Sequence, residues 1–241
     1  MIQSTKGIVL HRFKYSDSKM IAKIFTEEFG LQAYMIYGIG TKKGMMQINL
    51  IQPFALINLQ VYHKDGGGIQ KVKELSVDYP LNSISADIVK NTIVYFLAEF
   101  LLKTLKENEK DPELFKYIKE CIIQLEITKD NVNNFHLIFL WKLSKYLGIE
   151  PENNYSESNK IFDLFAGKFI VGIPGHNNYL NENQSKVLFE ILNTRTLDHH
   201  SLFLRVNERR FYLNSVLSFY NLHLDRPGEL KSFKILSELF S

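Results

Sequence analysis

Up to Tyr79-Pro80 the apolar residues of this 241-residue chain come in short alternating runs, and beyond that point they recur at helical spacing. A period of two belongs to strands and a period of about 3.6 to helices. The chain is therefore read as a β segment followed by a helical one. Thr5 to Tyr15 mixes β-branched and aromatic residues, Lys19 to Thr26 is a second run closed by Glu27-Glu28-Phe29-Gly30, and Leu31 to Tyr37 is a third. Alternation resumes at Met46, Ile48 and Leu50 and continues through Phe54 and Leu56. It then reverses phase at Ile57, Leu59 and Val61, as a β-bulge or sharp bend produces. Lys64-Asp65-Gly66-Gly67-Gly68 signals a hairpin before a fifth run, Ile69 to Val77. Five short strands in so short a stretch point to a small closed or partly open barrel.

Past Pro80 the spacing predicts a helix over Ala86–Leu105. Asp111-Pro112-Glu113 is a helix start, with a capping acid followed by proline at the first position. Asn131 or Asn133 can cap a helix running from Phe135 to a Gly148 stop. Pro151 to Lys160 is polar and loop-like, and Ile161 to Tyr179 reads as a hairpin turned by Gly172, Pro174 and Gly175. Asn183–Leu192, Arg209–His223 and Glu229–Phe240 read as three further helices. The expected class is α+β with two domains. Residues 1–80 form a five-stranded barrel of oligonucleotide-binding (OB) type, and residues 81–241 form a mainly α-helical domain with a small hairpin at about 160–180.

With 45% hydrophobic and 13% aromatic residues, this composition buries a substantial core and is not that of a disordered chain. The single cysteine, Cys121, excludes an internal disulfide framework and a thiolate-rich zinc site. The start lacks the apolar run of a secretory signal, and the longest uncharged stretch, Met45 to His63, is too polar to span a bilayer. A soluble, cytoplasmic protein is the expectation. Enzyme motifs fail one by one. Gly38-x-Gly40 lacks the third glycine and the helix that hold a pyrophosphate, and no Walker loop, GxSxG elbow or HExxH is present. His199-His200 is the only adjacent histidine pair, and neighbouring residues on a helix point apart. Neither a metal nor a cofactor is expected.

Charge carries the remaining signal. Of a net charge of +3, residues 1–80 hold +4, from ten basic and six acidic side chains. Such a segment suits a polyanion, because each neutralised phosphate releases counterions, although ordinary surface charge gives the same balance. OB-type barrels bind nucleic acid on a strand face and its flanking loops, with cations for phosphates and aromatic faces for bases. The candidates are Lys6, Arg12, Lys14, Lys19, Lys23, Lys42, Lys43, Lys71 and Lys73, with Tyr37 as a stacking residue and Phe13, Tyr15, Tyr34 and Tyr62 interleaved among them. Lys42-Lys43 lie between glycines, where a free backbone lays two charges along a phosphate chain. Near the other end, Arg205, Arg209, Arg210, Lys231 and Lys234 border apolar helices bearing Leu213, Val216 and Leu217. A basic rim beside an apolar groove suits an acidic peptide ending in a hydrophobic residue, since arginine pairs carboxylates bidentately. Arginines on the solvent face of a helical bundle would read the same way.

Several strings, in order, resemble the RecO family of bacterial recombination mediators. They are Lys6-Gly7-Ile8-Val9-Leu10, Tyr15-Ser16-Asp17-Ser18, Ile24-Phe25-Thr26-Glu27-Glu28-Phe29-Gly30, the loop from Gly38 to Gly44, Gln52-Pro53-Phe54, Leu147-Gly148-Ile149 and Arg226-Pro227. The resemblance implies an N-terminal OB-type barrel, a helical C-terminal domain and no catalysis of bond chemistry. It implies binding of single- and double-stranded DNA, annealing of complementary strands, and loading of RecA with RecR on DNA coated by single-stranded DNA-binding protein (SSB). Lys42 and Lys43 carry over as DNA contacts, and Arg205, Arg209, Arg210, Leu217, Lys231 and Lys234 as the site for the acidic SSB tail. The implied location is cytoplasmic and nucleoid-associated, with neither a membrane nor a small-molecule substrate as partner. Many relatives hold zinc with four cysteines at about residues 151–185, where this chain has none. A barrel that serves only as an adaptor between proteins is the alternative.

Overall fold

The first strand, β1 (Ile2–Ser16), is long enough to pair along both of its edges. Its early part runs antiparallel to β4 (Leu56–Tyr62), and from Gly7 onward it runs antiparallel to β2 (Lys19–Thr26). With β3 (Gly30–Tyr37) and β5 (Gln70–Tyr79) the strands close into a barrel in the order β1-β2-β3-β5-β4, the expected OB-type architecture. This computed structural model describes residues 1–38, 50–64, 66–129, 131–224 and 230–239, without the side chains of 197, 199, 200 and 239. Two compact units result, Met1–Ile127 and Thr128–Ser241.

Val9, Met20, Ala22, Ile24, Tyr34, Ile36, Ile57, Leu59, Val61 and Leu75 fill the barrel. Two of them show why the chain alternates as it does. At Leu10 the ladder slips, so that Val9 faces Ile24 while His11, not Leu10, faces Lys23. This bulge exchanges the faces of β1 midway. The anticipated phase change is a bend before β4 and not a bulge within it, since β4 pairs with β1 without a slip from Tyr62 back to Leu56. The slip toward β5, where Leu56 faces Tyr79 and Ile57 faces Val77, leaves Asp78 of β5 outside the ladder. The fourth strand starts later than its alternation suggests. Phe54, at φ 64°, turns the chain and donates its N–H to the Val9 carbonyl at 2.7 Å, and the ladder begins at Leu56. The alternation around Met46 and Ile48 lies outside the described residues.

The helix expected over Ala86–Leu105 is two helices, α1 (Asn82–Ala86) and α2 (Ile88–Thr104). Asp87 breaks them with an extended backbone and caps α2, accepting from the Val89 and Lys90 N–H groups at 2.8 and 3.1 Å. The N-terminus of α1 is held by Glu126, near the end of α3 (Pro112–Ile127), whose carboxylate accepts from the N–H groups of Asn82, Ser83 and Ile84. Asp111 caps α3 at 2.9 Å, as its sequence position indicates. α2 packs on β1, and Phe115 of α3 meets Phe25 at 5.9 Å between ring centres. The link between α2 and α3 lies along β3. Asn108 donates its N–H to the Leu31 carbonyl at 3.0 Å, the Gln32 amide donates to Asn108 at 3.1 Å, and Lys23–Glu107 and Glu28–Lys110 pair across it.

In the second unit the central helix is α4 (Phe135–Tyr146), buried on nearly every side, as its apolar sequence requires. Asn134, and neither Asn131 nor Asn133, stands at its start. The Asn134 side chain does not cap the helix but donates to the Leu202 carbonyl at 2.6 Å. α5 (Glu182–Asn193) and α6 (Val206–His223) pack against α4, and α7 (Lys231–Leu239) follows. The expected hairpin is present with a different turn. β6 (Ile161–Asp163) returns as β7 (Lys168–Ile170) through Leu164–Gly167, with Gly167 at φ 67°. The segment holding Gly172, Pro174 and Gly175 instead leads to a third strand, β8 (Tyr179–Leu180), on the other side of β6.

This small sheet is tied by polar side chains. Asn154 bonds both the N–H and the carbonyl of Phe169, Ser185 bonds the Phe162 N–H and the Leu180 carbonyl, and Asp163 takes the N–H groups of Phe165 and Ala166. Below it Trp141, Phe162 and Phe219 pack ring against ring.

Candidate nucleic-acid interface

Side chains alternate across a strand, so the residues between those filling the barrel lie on its outside. The register then places one row of outward residues side by side across five strands: Phe13 on β1, Ile21 on β2, Met35 on β3, Lys71 on β5 and Tyr62 on β4. The Leu10 bulge puts Phe13 in this row, since an unbroken alternation from Val9 would send it inward. One step along β3, Tyr37 stands opposite Lys19, whose ammonium lies 5.6 Å from the ring centre. Such a contact draws cation and ring together electrostatically. Ile21 and Met35 are 4% and 8% exposed, whereas Phe13, Tyr37 and Tyr62 are 43%, 44% and 45% exposed. The outer face is thus an apolar floor flanked by open rings and lysines.

The fold brings together Lys19, Tyr37 and Lys71 of the expected DNA contacts and places the others elsewhere. Lys23 shares the outer face but is paired with Glu107. Lys73 reaches Gln60 at 3.4 Å on the β4–β5 side, and Lys6 is exposed beside Asn58. After the bulge, Arg12 and Lys14 share the face of Ala22 and Met20. Arg12 donates to Gln52 at 3.0 Å and Lys14 to Asp17 at 2.7 Å. The hydrogen bond and charge of Lys14 hold the Asp17 carboxyl below its ordinary pKa. Tyr34 belongs to the barrel core, where burial pushes its hydroxyl up to about 12. Lys42 and Lys43 lie outside the described residues. The groove at the foot of β4 and β5, of about 510 Å³ and lined by Leu56, Tyr79, Ile84 and Tyr95, carries neither lysine nor arginine.

In the second unit, Arg205, Arg210, Lys231 and Lys234 are exposed and Leu217 is half-buried. Arg209 is 8% exposed and donates to Asn134 at 3.2 Å and to the Leu204 carbonyl at 3.3 Å, an internal position rather than a rim. The full burial of the neighbouring His136, and after it the charge of Arg209, hold that imidazole down to about 3. α7 lies against α6, with Leu236 fully buried and Arg210 donating to the Ser237 carbonyl. The cavity left among His136, Arg210, Leu213 and Leu236 is about 10 Å³, too small for a side chain. The side chains of His199 and His200 lie outside the described residues. Among the described residues no group of three or more His, Cys, Asp or Glu side chains is placed to hold a metal ion, and no helix is long and apolar enough to cross a membrane.

Comparison with known proteins follows the division at Pro80. Residues 1–80 match the family model described as Recombination protein O N terminal, and residues 85–232 match Recombination protein O C terminal. Three proteins named DNA repair protein RecO are similar over the full length. The one from Azobacteroides pseudotrichonymphae is 34% identical over 241 residues, all of both chains, and the one from Bacteroides fragilis is 32% identical over the same span. The one from Porphyromonas gingivalis is 33% identical over 246 aligned positions, again all of both chains.

Proposed function

The chain belongs to the recombination protein O family, and from that premise we propose that it is a recombination mediator of DNA repair that works by binding DNA directly. In this reading residues 1–80 are the nucleic-acid-binding part and residues 81–241 serve mainly in partner contacts. The protein binds single- and double-stranded DNA, anneals complementary strands, and acts with RecR to load RecA on SSB-coated DNA in the cytoplasm. The mechanism is electrostatic screening: a basic surface neutralises two phosphate backbones so that their bases can meet. The observation that carries the reading is the outer face of the barrel, where Lys71 stands beside Tyr62 and Lys19 beside Tyr37, and the row Phe13, Ile21, Met35, Lys71 and Tyr62 contains no acid.

Lys19, Lys71 and Tyr37 are the proposed contacts on that face, with Lys23 on the same face, Lys6 and Lys73 toward β4, Arg12 and Lys14 on the opposite face of β1, and Lys42-Lys43 on the following segment. Arg205, Arg210, Leu217, Lys231 and Lys234 are the proposed surface for the SSB tail, and the buried Arg209 positions α6 behind them.

Fluorescence anisotropy of a labelled single strand at about 50 and 200 mM salt tests the reading. Binding should weaken with salt, with a slope of about −0.7 per phosphate contacted. Exchanging Lys42 and Lys43 for Glu together should weaken binding and flatten the slope, and unchanged affinity at low salt would remove that pair. No binding at either salt would make the barrel a protein adaptor instead.

A further inference from the structure

We propose that Phe13, Tyr37 and Tyr62 form a base-stacking surface that makes the barrel prefer single-stranded over double-stranded DNA; this rests on the nucleic-acid reading above and names the form of DNA its outer face selects. Each ring is a little under half exposed, so it is backed by its neighbours and open in front. A flat ring held in this way presents a stacking surface at low cost in conformational entropy. The ladder registers put Phe13 and Tyr62 in one row and Tyr37 one step beyond it, with the buried Ile21 and Met35 as the floor. Phe13 and Tyr62 each lie two strands from β3, and Tyr37 stands one same-face step along it from Met35, so successive rings are separated by roughly 12 Å. Bases therefore stack one to a ring rather than as a continuous pile.

Cations stand beside the rings. Lys19 lies over Tyr37 and Lys71 faces Tyr62, and no acid stands in the row. That pairing fits a strand with phosphate on one side and bases on the other. A duplex offers the same phosphates, but its bases are stacked on each other and show no free π-face. The lysines thus serve both forms and the rings serve only one. Base–aromatic stacking is tolerant of sequence, because every base has such a face.

The test uses the full-length chain with three ligands of equal length: a natural single strand, a strand with abasic residues throughout, and a hairpin duplex. Wild type should bind the natural strand at least tenfold more tightly than the abasic one. The variants Phe13→Thr, Tyr37→Thr and Tyr62→Thr keep β-propensity while removing the ring. Each should lose between about fivefold and a hundredfold on the natural strand and stay within about twofold on the other two ligands. Photo-crosslinking of wild type to a strand carrying 5-iodouracil should label one or more of the three rings, which tests the surface even if a variant misfolds. Equal wild-type affinity for natural and abasic strands would overturn the proposal, as would equal losses on all three ligands by a variant with wild-type circular dichroism. Failure of wild type to bind any of the three would instead overturn the underlying nucleic-acid reading.

Discussion

At Gly30 the barrel and the α2–α3 link leave no room for a side chain, and replacing it with alanine should loosen the first unit well beyond an ordinary glycine substitution. Two costs combine. Gly30 has φ 65°, a left-handed conformation that costs an L-residue about 1–2 kcal/mol. A Cβ there would also stand 2.2 Å from the Glu109 carbonyl oxygen and 2.6 Å from its carbon, both backbone atoms that cannot rotate away. The link must then retreat, stretching the Asn108-to-Leu31 backbone bond and the Gln32–Asn108 bond, each worth about 0.5–1.5 kcal/mol. The half-exposed Glu28–Lys110 pair adds little. Roughly 2–5 kcal/mol is expected in all.

Gly66 provides the control, with φ 94° and open space where its Cβ would go. Gly66→Ala should cost only the backbone share, about 1–2 kcal/mol. Because the chain has two units, a single global unfolding energy is not well defined. The appropriate measurement is native-state amide exchange on β2 and β3, which reports the local opening energy. If the two variants lower that energy equally, the close approach of Glu109 contributes nothing and the reasoning fails.

Other perturbations have equally definite outcomes. Because His136 is fully buried and held down to about 3 against an unfolded value of 6.5, the unfolded state takes up the proton first as pH falls. The second unit should therefore lose about 2 kcal/mol between pH 7 and pH 5 and more toward pH 3. In His136→Leu this pH dependence should disappear, as read by amide exchange on α4 at both pH values. Arg209→Ala should cost about 2–3 kcal/mol by leaving the Asn134 and Leu204 acceptors unpaired. Arg210→Ala, on the exposed side, should cost within about 0.5 kcal/mol while weakening capture of an acidic peptide in a pull-down or anisotropy assay. Asp87→Ala should cost about 1 kcal/mol through the lost cap of α2, visible as faster exchange in its first turn. A chelator should leave amide exchange on β6 and β7 unchanged, since Asn154, Asp163 and Ser185 tie the small sheet through their own hydrogen bonds.

Much of this architecture is legible in the residue order. The limits of β2 coincide with the run Lys19–Thr26, and Asp111-Pro112 marks the start of α3, because both signals are local. What escapes the sequence depends on partners. The Leu10 bulge is set by the ladder to β2, and without it Phe13 reads as a core residue and Arg12 as an outward one. The phase reversal at Ile57 is visible in the sequence, yet it comes from the bend at Phe54 that starts β4 at Leu56, while the extra residue opposite, Asp78, belongs to β5. Arg209 resembles its neighbour Arg210 in sequence. Only the rotation of α6 and the position of Asn134, 75 residues earlier, decide which of the two is buried. The turn of the small hairpin sits at Leu164–Gly167 rather than at the richer glycine-proline signal, because Asp163 folds back onto the Phe165 and Ala166 amides.

The β3–β5 seam closes the barrel with two residue pairs, Tyr34 with Gln70 and Met35 with Lys71, whereas the other seams run along most of their strands. A ring is only as permanent as its shortest seam. Among the described residues, parting these two pairs turns the barrel into an open sheet with every other ladder intact. The strand edge then released carries Lys71, Lys73 and Glu74. Charges on an edge discourage a second chain from pairing there. The β3 edge released with it, Gly30–Tyr37, carries no charge, so after a brief opening protection against an added strand rests on β5 alone.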